Sequence, residues 1–581
     1  MQNKILSLIF RNDNISSFDF DVEPALPGRI TSSKGGFEVA GFGQDGKYRI
    51  LSRKTGQLVD IAPKQLDKAT LFAHIGQDYC TRHFTKPDPE TGGREFDLNR
   101  LIFQIRQECD NFGPANLEDV RGPGIYLDDS GLVVNYGDAV FDQADTPVST
   151  KPTPTRAYIA GQGLGFSRET PCATADEVES VEQAFRSFAF EQTWGGAASL
   201  GWFASSVLGA VLPNSPSVIL TAEKGAGKST WVSLQVALLG QQAILRDGVP
   251  SAPQVLHAVS EKSVTLICDE FEPLKRSKAQ LESLTEVFNS GFTKSTGKGK
   301  FTRVSGKSLR YFNPPSGVAL CGINVPELDD ALESRSVRLS MVRKDRAGES
   351  KCRLLNTANG EARLLGARLR RLLVSRWQVV HDTRAQVHEM LQSIGHSDRF
   401  ADTYSPLVAG YIGLKHAAVP ERHILEELLV QWSLNEVRVE ELDTPSEACL
   451  STLLDRKVVI KVREGDSLAR THMRLRDAIH MMAGREGDQQ RKDIAYQLEL
   501  LGVRPLCDED GGTWRMAVAA SQHHREMRLL TTGTPWARGA WKDALLRLPG
   551  SAKGQARLAG ESVKVVIVRL PDSVLNPLAS E

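Results

Sequence analysis

No two of the eight cysteines in this 581-residue chain stand close enough to form a CxxC pair; they occur singly at positions 80, 109, 172, 268, 321, 352, 449 and 507. That spacing excludes a disulfide framework and a four-cysteine zinc module, and predicts reduced thiols in a cytoplasmic protein. Cys80 and His83 in DYCTRH have a spacing that two metal ligands use, but no second pair accompanies them, so no metal site is expected there. Net charge is missing as well, because 71 basic residues balance 71 acidic ones. A nucleic-acid surface must then be a local concentration of Lys and Arg inside a neutral protein. The opening MQNKILSLIF has one lysine and an apolar run too short for the core of a signal peptide. Internal repeats and low-complexity tracts are absent.

One uncharged stretch is long. Thr193 to Leu212, TWGGAASLGWFASSVLGAVL, has about the length that spans a bilayer. It is rich in Gly, Ala and Ser, Pro213, Asn214 and Pro216 follow it, and a strand comes next. The expectation is a helix buried against the neighbouring domain, with no membrane span. The length of the whole chain predicts three or four domains of roughly 100–200 residues each.

What is present is chemistry for phosphate. In SVILTAEKGAGKSTWVSLQVALLG, Ser217 to Leu220 read as a buried parallel strand and Ser229 to Leu239 as a helix. The turn between them meets GxxxxGK[ST] at every position but the first, where Ala222 stands. Ala222, Lys224, Gly225, Ala226, Gly227, Lys228, Ser229 and Thr230 are the expected nucleotide-binding residues. Gly225 and Gly227 let the backbone curl around phosphates at the positive end of the helix. Lys228 is expected on the β and γ phosphates, and the Ser229 hydroxyl on Mg²⁺. Alanine at 222 fits as long as its backbone stays out of left-handed space.

Forty-one positions after Lys228, SVTLICDEFEP describes a buried strand ending in Asp269 and Glu270. Carboxylates at such a tip stand where ligands bind in open α/β sheets. Asp269 is expected to hold Mg²⁺ and Glu270 to polarise the attacking water. A third strand, SGVALCGIN, ends in Asn324, whose amide suits a hydrogen bond to the γ-phosphate or the lytic water. Arg335 then precedes the strand Val337 to Met341, with Arg338 as its competitor for the role of a charge-neutralising arginine.

Between the Asp-Glu strand and the Asn324 strand lies GFTKSTGKGKFTRVSGKSLRYF, Gly291 to Phe312, with six basic residues and no acidic one. The small residues of TKSTGKGK followed by alternation predict a hairpin with a basic tip. Lys294, Lys298, Lys300, Arg303 and Lys307 suit contact with a single-stranded backbone, where charge is read and base sequence is not.

Phosphate loop, Asp-Glu strand, polar strand tip and arginine, in this order within about 110 residues, resemble the AAA+ class of ATPases. The hairpin just before the third strand looks like that of superfamily-3 helicases, the viral, phage and plasmid branch of the class. RGPGIYLDDSGLVVNYGDAVF (Arg121 to Phe141) and GAWKDALLRLPGSAKGQARLAGESVKVVIVRLP (Gly539 to Pro571) look like segments around the ATPase core of phage and prophage primase-helicases. With them the resemblance covers most of residues 75–575. It implies ATP and Mg²⁺ as cofactors and an arginine, Arg335, that completes a neighbour's site. It also implies a homo-oligomeric ring, most simply a hexamer, that translocates on single-stranded or forked DNA during replication. No cysteine cluster or acidic polymerase motif precedes the core, so priming would fall to a separate partner.

The fold class expected is α/β, an AAA+ P-loop core with a parallel sheet over residues 191–345. Before it come a small β-rich module (1–75) and an α+β module (76–190); after it come a helical lid or collar (346–449) and a winged-helix-like region (450–581). In the lid, Leu365, Leu369, Leu372 and Leu373 share one face, and Arg363, Arg370 and Arg371 are expected in solvent. Two other functions compete with a helicase. One is an ATPase switch that loads or remodels protein partners or duplex DNA without unwinding; the other is a regulatory or defence-associated ATP-binding protein with little turnover.

Overall fold

The computed structural model describes residues 27–571 except 44, 91, 116, 118, 129–130, 273–277, 293–300, 306–307, 324, 326–327, 329, 344–353, 355–359, 436–444, 465–466, 484–488, 508–513, 521–529 and 532–539. The chain forms two compact units that divide between residues 436 and 437.

The first unit is organised on a five-stranded sheet. Its order is Ala243–Asp247, Thr265–Asp269, Gly317–Gly322, Ser217–Ala222, Ser336–Met341, and every neighbouring pair is parallel. The three inner strands are near-continuous apolar runs because both faces are covered. The edge strand Ala243–Asp247 is half exposed and carries Arg246 and Asp247 to solvent. From the strand Ser217–Ala222 the chain passes through the helix Lys228–Leu239 to that far edge and then works back. The strand ends therefore open onto one crevice where the order reverses.

Thr193–Leu212 contains the helix Gly195–Val207, and all of that helix is buried. A Cβ on Gly201 would strike the carbonyl of Leu407, and one on Gly410 would lie 2.8 Å from the carbonyl of Gly201. The run is rich in small residues because it crosses the helix Asp398–Lys415 backbone to backbone. On its other side Ser199 accepts a hydrogen bond from Trp231 Nε1 at 3.0 Å, which docks the helix Lys228–Leu239. No helix among the described residues is long and apolar enough to cross a membrane.

Among the described residues the expected lid region holds the helices Glu361–Ser375, Trp377–Ile394, Asp398–Lys415 and Arg422–Gln431 and the start of Pro445–Leu454. The first packs directly on the helix Lys228–Leu239, where Gly366 meets the backbone of Leu238. Leu369, Leu372 and Leu373 are buried along that contact. The expectation for the arginines needs correction. Arg363 is exposed, but Arg370 is only 1% exposed and gives hydrogen bonds to the carbonyls of Leu164 (2.5 Å) and Gly366 (3.1 Å). Burial lowers its pKa to about 10. Arg371 pairs with Asp145 at 2.6 Å. Both hold the helix to the segments before the five-stranded sheet.

Those segments comprise a meander, Phe37–Phe42, Tyr48–Ser52 and Leu58–Ile61, and a second one, Gly124–Asp128, Gly131–Asn135 and Val140–Asp142. The helix Leu98–Phe112 places Leu101, Ile105 and Cys109 in the core of the first meander, so a border at residue 75 falls inside one core. The turn of the RGPGIYL segment docks beneath the Asp-Glu strand: Gly122 N–H bonds the Glu261 carbonyl at 2.7 Å, and Ser263 N–H bonds the Pro123 carbonyl at 3.3 Å.

In the second unit, helices Leu475–Ala483 and Gln489–Leu500 are followed by strands Val503–Cys507 and Trp514–Ala519. Two further strands, Ala552–Leu558 and Glu561–Arg569, extend these into a four-stranded antiparallel sheet.

Candidate functional site

The phosphate-loop sequence begins inside the sheet. Ala222 is buried and pairs with Met341, and Glu223 N–H bonds the Met341 carbonyl at 3.0 Å. The Glu223 carboxylate in turn accepts from Arg343 N–H at 3.0 Å, which fixes where the loop leaves the strand. Ala226 N–H closes a turn on the Glu223 carbonyl at 3.0 Å. The two left-handed residues of the loop are Gly225 (φ 86°) and Gly227 (φ 97°). Ala222 is not among them, so its lack of the usual glycine costs nothing in backbone conformation.

Gly227 also starts the helix Lys228–Leu239, and no side chain caps that start. Helix geometry leaves the first N–H groups without an intrahelical acceptor, and the macrodipole adds positive potential there. Together they suit an anion. The loop opens into a cleft of about 1040 Å³. Glu223, Lys224, Gly225, Gly227, Lys228, Ser229 and Thr230 line it from the loop; Asp247, Gly248, Val249, Glu270, Glu272 and Ile323 line it from the ends of three strands. Ala222 and Ala226 support the loop from below.

Lys228 Nζ forms an ion pair with Asp269 Oδ1, and the two side chains are 14% and 16% exposed. The same oxygen accepts from Glu270 N–H at 2.8 Å. The Asp269 carbonyl accepts from Gly248 N–H at 2.6 Å, tying the edge strand to the carboxylate strand. Glu270 itself is left-handed, with φ 52°. The cause is visible in its neighbours. Phe271 is buried, with its N–H on the Cys321 carbonyl at 2.8 Å, while Glu272 N–H turns back to the Glu270 carbonyl at 2.8 Å. Between a strand on one side and a buried ring on the other, Glu270 is forced outward into the cleft. Such strain in a cleft is a mark of functional positions. Behind the carboxylates, burial pushes the Cys268 thiol up to about 12, and burial with the nearby Asp269 charge raises Cys321 well above its ordinary value. Both thiols are neutral packing groups.

Asn324 lies outside the described residues. Its strand, Gly317–Gly322, sits between the strands that carry Ala222 and Asp269, and Ile323 lines the cleft. Arg335 is not brought to this cleft. It sits before Ser336, at the opposite end of the sheet, where its carbonyl accepts from Ser217 N–H at 3.1 Å. Its guanidinium bonds the Ala331 carbonyl, reaches Asn289 Oδ1 at 3.4 Å and lies 5.7 Å from the Phe292 ring centre. Arg338 is held by both Glu333 oxygens, at 2.5 and 2.9 Å. The hairpin of the basic segment is Phe301–Ser305 paired with Ser308–Phe312. Gly291 and Phe292 end the helix Lys278–Phe292 instead of opening the hairpin. Arg303 stands in its first strand; Lys294, Lys298, Lys300 and Lys307 lie outside the described residues.

Sequence reasoning missed Asp247 and Glu272. Asp247 ends the edge strand in register with Asp269, and its only signal was an Asp-Gly pair closing the run AILRDG. Among the described residues no group of three or more His, Cys, Asp or Glu is placed to hold a metal ion. Ser229 and Asp269 still fit a Mg²⁺ that keeps several waters and takes its other oxygens from phosphates.

No family model matches the chain, and no curated protein matches it. Among solved structures it is similar to the A form apo structure of the NrS-1 C terminal region, with 10% identity and a TM-score of 0.30, over 76% of this chain and 96% of that one. An apo structure of the same region, residues 305-718, gives the same figures. A further A form gives a TM-score of 0.27 at 10% identity, over 75% and 96%. Likeness of this degree carries no argument about activity.

Proposed function

We propose that the chain is an ATP- and Mg²⁺-dependent motor that works as a homo-oligomeric ring, a hexamer in the simplest case, on single-stranded or forked DNA in the replication of a phage, prophage or other mobile element. The observation that supports this most is the meeting of Lys228 and Glu270 in one cleft at an uncapped helix start, with Asp269 paired to Lys228 at its floor. Residues 41 and 42 positions apart share the space that a triphosphate would fill.

In this reading the N–H groups of the loop and the Lys228 ammonium bind the β and γ phosphates. Lys228 must leave Asp269 to do so, which frees that carboxylate to join Ser229 in holding Mg²⁺. A Mg²⁺ held by Ser229 and Asp269 would supply neutralisation of the charge that develops on the phosphates. Glu270, already turned into the cleft, orients the attacking water and accepts its proton. Arg335 cannot reach its own cleft, since the six-residue strand Ser336–Met341 separates them by about 20 Å. It acts on the nucleotide of the adjacent copy. The hairpin Phe301–Phe312, with Arg303, Lys307 and the lysines before it, grips phosphates of the DNA track.

The test is ATP hydrolysis by the purified chain with and without single-stranded DNA, with mass photometry of the same sample. Turnover stimulated by DNA together with a ring-sized species is expected. Turnover indifferent to DNA in a small oligomer would transfer the engine to the switch reading, and nucleotide binding with no turnover would leave a regulatory binder.

A further inference from the structure

Arg335 is not alone at its end of the sheet. Arg399, in the first turn of the helix Asp398–Lys415, lies 5.3 Å from the centre of the same Phe292 ring that Arg335 covers at 5.7 Å. Phe292 is buried, so it acts as a fixed post between the two guanidiniums. The helix that carries Arg399 also meets the segment before Arg335, because the Thr403 hydroxyl lies 3.0 Å from the carbonyl of Ser334 and 2.8 Å from that of Arg399, either of which can accept its proton.

The Phe292 ring gives the Arg399 guanidinium an aromatic face but no opposite charge. Among the described residues it has no ion pair, and its neighbour Asp398 accepts from Gln392 at 2.6 Å. A cation in the first turn of a helix faces the positive end of the macrodipole, which is unfavourable. Two guanidiniums on one ring also repel each other. A partner anion would resolve all three. The surface that supplies one is the cleft of a second copy: Glu223, Asp247, Glu270 and Glu272 outnumber Lys224 and Lys228 there, and a bound triphosphate adds more negative charge.

We propose that Arg399 is a second catalytic arginine, which enters the neighbouring copy's nucleotide cleft beside Arg335, with Phe292 positioning both. This rests on the ring reading given above. The planar forks of two arginines then share the γ-phosphate oxygens, one neutralising the charge that develops and the other holding the group in line.

The experiment uses the full chain as wild type, R399A and E270Q, and a mixture of the two variants co-assembled before ATP is added. R399A alone should bind a fluorescent ATP analogue as wild type does and assemble normally, yet hydrolyse ATP at least tenfold more slowly. E270Q should be equally inactive. In the mixture, a sound R399A cleft meets a sound E270Q arginine pair at about one interface in four, so turnover should recover to about a quarter of wild type. A purely structural role for Arg399 gives no such recovery. R399A hydrolysing at the wild-type rate, or a loss that mixing does not restore, overturns the proposal while leaving the ATPase reading intact. A wild-type chain that never turns ATP over overturns both. Should R399A fail to fold, R399K keeps the charge without the two-pronged grip, and the same loss and recovery are expected with smaller size.

Discussion

Replacing Lys228 by Met should weaken the protein before any nucleotide is added. The Lys228–Asp269 pair is largely shielded, with 14% and 16% of the side chains exposed. Removing one partner of a fully buried pair costs about 3–5 kcal/mol, because the other charge is left without compensation. Residual water and the Glu270 N–H on Asp269 soften that here, and about 2 kcal/mol is the expected loss. With a urea slope of about 3 kcal/mol/M, the unfolding midpoint should fall by roughly 0.7 M. The chain has two units, so unfolding followed by circular dichroism should show two steps, and only one of them should move. The double variant K228M/D269N removes both charges and should return to within about 1 kcal/mol of wild type. K228M, D269N and the double variant should all lose hydrolysis. Losses from the single variants that simply add in the double would show that the two side chains do not pair, and the account of how Lys228 is released to phosphate would fall with it.

Glu270 gives a second prediction. A side chain held at φ 52° costs about 1 kcal/mol, and E270Q keeps that cost while E270G removes it. After allowance for the freer unfolded chain, E270G should be about 0.5 kcal/mol more stable than E270Q, measured by urea unfolding, with hydrolysis absent in both. E270G less stable than E270Q would mean that the strain is not there. A third concerns acid. Burial opposes ionisation of Glu182, but hydrogen bonds from Lys415, Arg186 and Tyr411 outweigh it and hold the carboxyl below its ordinary value. A lowered group stabilises fully above the unfolded value of about 4.5 and loses that contribution as pH falls through the folded one. E182Q should therefore be destabilised at pH 7 and progressively less so as pH falls below about 4.5; a loss that stays constant down to acid unfolding would remove Glu182 from the acid response.

What could be read from the sequence was local. Lys224 to Thr230 and Asp269-Glu270 announce themselves because each set is contiguous and its chemistry depends on backbone curl or strand polarity, both fixed within a few residues. The inner strands follow the same logic, since each is an apolar run covered on both faces, whereas the edge strand Ala243–Asp247 is too polar to announce itself. Arg370 shows where that logic stops. Its spacing in the helix Glu361–Ser375 matches a solvated face, yet its surroundings are the Leu164 carbonyl and the Phe166 ring, about two hundred positions earlier in the chain. Asp247 was hidden for a related reason: only pairing with Asp269 turns an ordinary Asp-Gly turn into a wall of the cleft.

The two halves of the proposed reaction sit at opposite ends of one sheet, and this follows from the direction of its strands. In a parallel sheet every loop that can hold phosphate lies at the carboxyl ends, where Lys228, Asp269 and Glu270 meet. A residue placed just before the strand Ser336–Met341 is thereby kept at the amino end, however close it lies in sequence to the site. Arg335 and Arg399 cluster there on Phe292, on elements that meet at Thr403 and Ser334. The described residues that line the cleft of a single copy include no arginine, while Arg335 and Arg399 stand at the other end of the sheet. On the proposed reading a complete catalytic set would therefore need two chains, and hydrolysis would depend on how one copy meets the next.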